Sequence, residues 1–277
     1  MRTKNRQFRS VPAFFILPAA LGLLLILGPL LGLASNIPWT EVGSIMASDQ
    51  GLAAVRLSIS TALISTLLCA LLGLPLSLLL AKVLARSRYQ KIGRILYALI
   101  YTPVILSPVV SGLALIFFWG KKGLLGAWLY QQFAISLPFT PAAVVLTQIF
   151  VGLPFFVAAS VTTLGSIPKE YEEIALVEGA SAWEISLKVL LPIAAPGIAT
   201  GTLLSFARAL GEYGATLTFA GNIAEKTRTI PLNIELMLSS NYMPQALGAA
   251  FQLISLYLIV LALALLLWNL NRLRKRT

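Results

Sequence analysis

The amino-acid sequence predicts an all-α integral membrane protein with about six transmembrane helices, and three observations carry that expectation. Of the 277 residues 58% are hydrophobic and only 11% charged, with a mean hydropathy of +0.86, whereas a soluble domain carries about 25% charged residues. Apolar windows of about 20 residues recur along the chain, the length a helix needs to cross a bilayer. No series of roughly ten-residue alternating segments suggests a β-barrel, and a helix is the other element that satisfies its own backbone in lipid.

The windows fall at 12–34, 57–81, 95–118, 142–164, 190–213 and 246–270, within a single membrane domain spanning 1–277. The first follows basic residues, as a signal peptide would. Its apolar stretch is about twice as long as a signal core, so it is expected to be retained. Several windows contain proline or glycine (Pro75, Pro103, Pro108, Gly152, Pro154, Pro192, Pro196). These read as kinks tolerated by neighbouring helices, or as flexing points of a protein that changes conformation.

Lys and Arg outside the windows set the orientation. Fifteen lie on the side of both termini: Arg2, Lys4, Arg6 and Arg9; Lys82, Arg86, Arg88, Lys91 and Arg94; Lys169 and Lys188; Arg272, Arg274, Lys275 and Arg276. Five lie opposite: Arg56, Lys121, Lys122, Lys226 and Arg228. Both termini and the 165–190 connection are therefore expected in the cytoplasm. The net charge of +11 follows this topology and marks no soluble basic face, which argues against nucleic acid as a partner.

Catalytic and metal chemistry find little purchase. The chain has no histidine and one cysteine, Cys69, in an apolar run, which removes the commonest general base, thiolate metal clusters and disulfides. Before residue 170 the acidic residues are Glu41 and Asp49 alone, too few for a membrane-embedded transferase built on clustered carboxylates. There is no Gly-rich Lys-Ser/Thr loop for nucleotide phosphates. The expectation is a chain without catalytic site, metal or cofactor.

Residues 169–188 form a polar island that carries Glu170, Glu172, Glu173, Glu178 and Glu184. The early glutamates complement a helix N-terminus, with Pro168 suited to a first turn. Gly179 breaks the run, and Ser181 with Glu184 has the spacing of a capping box. Two short helices are predicted, with Pro192 opening the next span. Glu173-Ile174-Ala175, then Gly179, then Val189-Leu190-Leu191-Pro192 resemble the EAA loop of ATP-binding-cassette importer permeases, with Ile174 and Val189 as mild departures. The resemblance implies a type I importer permease fold, here an expected homodimer. It also implies two cytoplasmic ATPase subunits that bind the ATP and are gripped through Glu173, Ala175, Gly179, Leu191 and Pro192. An ATP-independent channel would leave this loop unexplained.

In the fifth window, Gly201, Ser205, Arg208, Glu212 and, if the helix continues, Thr216 fall within an arc of about 80° at 100° per residue. Ionisable residues within a span usually face a protein interior or a watery path; Arg208 and Glu212 either pair across one turn or line such a path. Ser205, Arg208, Glu212 and Thr216 are the candidate path residues. The run Phe206-Ala-Arg-Ala-Leu-Gly-Glu-Tyr-Gly-Ala-Thr216 and the segment Thr227-Arg-Thr-Ile-Pro-Leu232 are similar to molybdate permeases and their sulfate/thiosulfate relatives, with tungstate a further candidate. The resemblance covers about 50–270. It implies import of a molybdate oxyanion across the inner membrane, delivered by an extracytoplasmic binding protein docked on 35–56, 119–140 and 214–245.

Overall fold

The computed structural model describes residues 12–274. The tail residues Arg2, Lys4, Arg6, Arg9, Lys275 and Arg276 that entered the orientation count lie outside them. Among the described residues every regular element is helical. The first half contains α1 (Ile16–Ser35), α2 (Val42–Ala47), α3 (Asp49–Ala85), α4 (Gln90–Ile105), α5 (Pro108–Trp119), α6 (Gly126–Phe133) and α7 (Pro141–Gly165). The second contains α8 (Glu170–Val177), α9 (Ala182–Glu184), a π-helical turn (Ile185–Leu190), α10 (Leu191–Leu210), α11 (Gly214–Ala220), α12 (Ile230–Ser239) and α13 (Met243–Arg274). Five helices are long and apolar enough to cross a membrane, and the α4–α5 pair makes a sixth crossing if counted as one span.

The third expected span, 95–118, is not one helix. It breaks at Leu106-Ser107, and the segments Ser87–Ile105 and Pro108–Trp119 meet at 113°. Pro108 cannot donate to the preceding turn and drives Ser107 out of the helical region, to ψ 150°. The Ser107 hydroxyl then accepts the Val110 N–H and starts α5 afresh. Pro75, by contrast, lies inside an unbroken α3. That helix is capped by the Ser48 side chain, which accepts from the Gly51 N–H at 3.1 Å. Its 37 residues make a rod of about 55 Å, longer than the hydrocarbon is thick, so its ends project beyond it.

The core is helix on helix, with α7 lying between α3 and α10. On α3 the buried positions Ser58, Thr61, Ala62, Ser65, Cys69, Gly73, Ser77 and Leu80 recur every three or four residues. Small and hydroxylated side chains on this stripe let the backbones approach and pair locally, as in membrane interfaces generally. Ser77, for example, donates to the Gly73 carbonyl at 2.6 Å, and Gln148 of α7 donates to the Thr61 hydroxyl at 3.2 Å. Phe156, fully buried, fits between two glycines. A Cβ on Gly201 would come 2.9 Å from its carbonyl oxygen, and one on Gly73 would meet its ring. Gly201→Ala is therefore expected to cost about 1–3 kcal/mol by overpacking against backbone that cannot yield. Thermal unfolding in detergent checks this; an unchanged midpoint would show that α7 and α10 have room to separate.

Candidate functional site

The polar island folds as two short helices joined by a tight turn. In α8 the Ala180 N–H bonds the Ala175 carbonyl at 2.9 Å and the Gly179 N–H bonds the Leu176 carbonyl at 3.0 Å. This pair of bonds is the Schellman closure of a helix, which places one residue in the left-handed region. That residue is Gly179, at φ +82°, where an L side chain is strained. Ala175 and Gly179 thus belong to one motif, Ala175 as the acceptor of its outer bond and Gly179 as its left-handed residue. Ser181 then caps α9: its hydroxyl accepts the Glu184 N–H at 3.3 Å, while the Glu184 carboxylate accepts the Ser181 N–H at 3.1 Å.

Lys188 completes the cap by donating to Glu184 at 2.9 Å. That bond, followed by those from Ser181, holds the Glu184 carboxyl down at about 2, from 4.5. A depressed carboxyl stabilises the folded segment above its ordinary value and loses that contribution as pH falls toward the folded one. Protection of the Glu184 amide from hydrogen exchange is therefore expected to hold from pH 7 to about 4.5 and to fade between there and about 2. In Glu184→Gln it is expected to be weak at every pH; a pH-independent wild type would show that the cap does not order the turn.

Tyr171, Ile174, Val177 and Trp183 stand exposed on the island, Val177 at 87% and Trp183 at 71%. Glu173 is exposed as well and has no ion pair among the described residues. Leu191 and Pro192, expected to open a new span, instead continue one. The helical run extends from Ala182 to Leu210, and the π turn absorbs the proline. The Leu191 N–H reaches back five residues to Ser186, a one-residue slip that accommodates the donor and the space that Pro192 removes.

At the other end of this run the polar stripe is interrupted. α10 ends at Leu210, and Tyr213, at φ −126° and ψ −62°, turns the chain before α11 begins. Thr216 is therefore not on the helix of Arg208. The Arg208 guanidinium pairs with the Glu212 carboxylate at 2.6 Å, with Arg208 one-third exposed and Glu212 at 2%. Glu212 also accepts the Ala215 N–H at 2.9 Å, so one carboxylate ties the last turn of α10 to the first of α11. From α13, Tyr257 donates to the Ala207 carbonyl at 3.1 Å. Ser205 is fully buried against Gly152, whose Cβ would lie 3.0 Å from its hydroxyl. Thr216 is fully buried too, and both hydroxyls are without a partner among the described residues. Of the four candidate path residues, Arg208 alone keeps an open face.

A family model described as the binding-protein-dependent transport system inner membrane component matches residues 73–275. This chain belongs to that family. The permease is 40% identical over 91% of each chain to the molybdenum transport system permease protein ModB of Mycobacterium tuberculosis. It is 37% identical to ModB of Haemophilus influenzae, over 81% of this chain and 96% of that one. The sulfate transport system permease protein CysT of Escherichia coli is 33% identical over 92% of this chain and 87% of its own. Among solved structures, a chain of a bacterial alginate ABC transporter in complex with an alginate pentasaccharide-bound periplasmic protein shares the fold at a TM-score of 0.70 and 19% identity. It covers 90% of this chain and 91% of its own. A chain of the MetNI methionine ABC transporter in an inward-facing conformation does so at 0.59 and 17%, over 77% and 92%.

Two polar features of the permease have no counterpart among the sequence-derived candidates. The Ser58 hydroxyl accepts the Ile230 N–H at 2.8 Å, fastening the start of α12 to α3. The 221–229 loop is closed by Thr227, whose hydroxyl donates to the Gly221 carbonyl at 2.9 Å, and by Arg228, which donates to Asn222 at 2.9 Å. The Thr227-Arg-Thr run marked this loop in the sequence; nothing marked Ser58 apart from its place on the small-residue stripe. Within the expected docking segment 214–245, Ala215, Thr216, Phe219, Ala220 and Ile230–Asn233 are buried. Those residues pack inside the protein because α11 lies against α5 and α7, and the start of α12 against α13 and α3.

Proposed function

We propose that this permease translocates molybdate into the cytoplasm as the membrane subunit of an ATP-driven importer. The observation that carries this reading is identity at the 40% level with molybdenum permeases over nine-tenths of both chains. Sulfate is the second reading, favoured by the 33% identity with CysT. In this proposal the chain has no catalytic site, and ATP is bound and hydrolysed by two cytoplasmic ATPase subunits. Each grips one island through Glu173 and the closure that contains Ala175 and Gly179, and the exposed Tyr171, Ile174, Val177 and Trp183 would be covered there. Apolar side chains of this size on a polar segment outside the hydrocarbon are the mark of an interaction surface.

A second copy of the chain completes the path. Support comes from α1, which buries no residue against the described residues of its own chain and so offers its surface to lipid and a partner helix. Arg208 supplies a positive charge, tempered by Glu212, that favours a tetrahedral dianion without trapping it. Ser205 and Thr216 act in this reading through helix packing. An extracytoplasmic binding protein delivers the ligand to the exposed parts of 35–56, 119–140 and 214–245.

The deciding assay is ATP-driven uptake in proteoliposomes holding the permease, its ATPase and its binding protein, with labelled molybdate and sulfate compared. Molybdate uptake exceeding sulfate uptake by at least about tenfold, or about 1.4 kcal/mol of discrimination, is expected. Comparable rates would sink the molybdate assignment and leave the importer standing.

A further inference from the structure

An apolar groove of about 300 Å³ runs between α3 and α4. Leu79 and Val83 of α3 and Leu96, Leu99 and Ile100 of α4 line it, and the buried Leu80 forms its floor. Leu79 and Leu99 are 60% and 62% exposed, so the groove opens sideways, toward what is hydrocarbon in a membrane. The two helices are held close at one end by Gly93, where an added Cβ would lie 2.9 Å from the Leu84 side chain. The turn that joins them, residues 86–89, closes that same end.

Five cations surround the turn: Lys82, Arg86, Arg88, Lys91 and Arg94, all exposed. There is no acidic residue anywhere between Asp49 and Glu170, and none of the five makes an ion pair among the described residues. Arg88 stays beside the Tyr89 ring, 5.7 Å from its centroid, which places an aromatic side chain at the same level as the charges. Val83 precedes Arg86 by three positions and Leu96 follows Arg94 by two, so the apolar groove gives way to the cationic turn within about one helical turn.

We infer that this groove and turn are a binding site for an anionic phospholipid, with an acyl chain along the leucines and the phosphate on Arg86, Arg88 and Lys91. The topogenic role of Lys and Arg accounts for the cations alone. It gives no reason for an apolar groove that ends at them. A soluble partner docked on the turn would account for the charges, but its side chains would have to enter hydrocarbon to fill the groove. An amphiphile with a negative head and an alkyl tail matches both halves at once, as basic pockets between spans on the cytoplasmic side do for anionic headgroups. Tyr89 suits the headgroup level, where aromatic side chains collect. The leaflet follows from the orientation proposed above; the match of groove and turn does not depend on the transported anion.

The test uses the detergent-solubilised permease with its ATPase, incubated with phosphatidylglycerol or phosphatidylcholine, with bound lipid counted by native mass spectrometry. Phosphatidylglycerol is expected to be retained on the order of tenfold better than phosphatidylcholine. Arg86→Gln/Arg88→Gln/Lys91→Gln should abolish that preference. Leu99→Trp, which fills the groove and keeps every charge, should abolish retention, and its assembly is verified by gel filtration. Millimolar inorganic phosphate should fail to displace the lipid. Undiminished retention in Leu99→Trp, or displacement by phosphate alone, overturns the proposal, since either leaves an anion site without an acyl chain. Loss of ATPase co-purification in the triple variant, with lipid retention intact, overturns it in favour of a protein contact. Labelling of Arg88→Cys by a membrane-impermeant thiol reagent in intact cells tests the orientation separately.

Discussion

Arg208→Ala is expected to lower the permease's thermal midpoint in detergent more than any other single truncation of a polar side chain. The substitution leaves the Glu212 carboxylate, 2% exposed, with only the Ala215 N–H to oppose its charge. Removing one partner of a buried ion pair costs about 3–5 kcal/mol, because the remaining charge stays desolvated. Arg208 itself is one-third exposed, so water reaches the vacated position and the lower end of that range applies. Arg208→Ala/Glu212→Gln should recover most of the loss, since an amide oxygen can still accept from Ala215 and carries no charge. Glu212→Ala alone should be poorly tolerated for a second reason: it releases the N–H that ties α11 to α10. A midpoint for Arg208→Ala within about one degree of wild type would mean that the pair contributes nothing to the joint.

Gly179→Val is expected to abolish transport while sparing the fold. A Cβ at Gly179 meets nothing within 4 Å among the described residues, so they leave room for it. The backbone is the obstacle: at φ +82° an L residue costs roughly 1–2 kcal/mol, and a β-branched one more. That strain can relax only by opening the Ala180-to-Ala175 closure, which turns α8 away from α9. Uptake and ATPase co-purification should each fall at least tenfold, with the thermal midpoint within about two degrees of wild type, as expected for a change confined to an exposed turn. Gly179→Asn, which tolerates the left-handed region, should keep most of both. Normal uptake in the valine variant would remove Gly179 from the proposed grip on the ATPase.

The elements legible in the sequence were those set by local chemistry. Long apolar windows found the spanning helices, and Ser181 with Glu184 found the second island helix, because a capping box is specified within four residues. The 113° break at Ser107 was not legible. Pro75, Pro103 and Pro108 look alike in the sequence, and whether a proline kinks or breaks a span depends on which neighbours re-satisfy the freed groups. The turn at Gly211–Tyr213 was left open in the sequence, where Thr216 joined the stripe only if the helix continued: a glycine beside a carboxylate is compatible with a helix until the carboxylate finds the next N–H. Ser205 and Thr216 show the limit of a polar stripe. Small hydroxylated residues serve tight helix packing in membranes as readily as they line a path, and periodicity alone does not separate the two. The buried part of 214–245 was equally hidden, because docking surface and packed α11 share the same apolar, glycine-bearing composition.

The unbroken run from Ala182 to Leu210 has a mechanical meaning. Continuous through the π turn and Pro192, it spans about 44 Å as one lever. Its seat against α7 runs from Gly197, where an added Cβ would overlap the Thr163 side chain, to Gly201, where one would lie 2.9 Å from the Phe156 carbonyl oxygen. With the pivot midway between them, the arm on the Trp183 side is about 24 Å and the arm to Leu210 about 17 Å. A swing of the island would then reach the Arg208–Glu212 joint at roughly two-thirds of its amplitude and in the opposite direction, as a lever with unequal arms trades stroke for force.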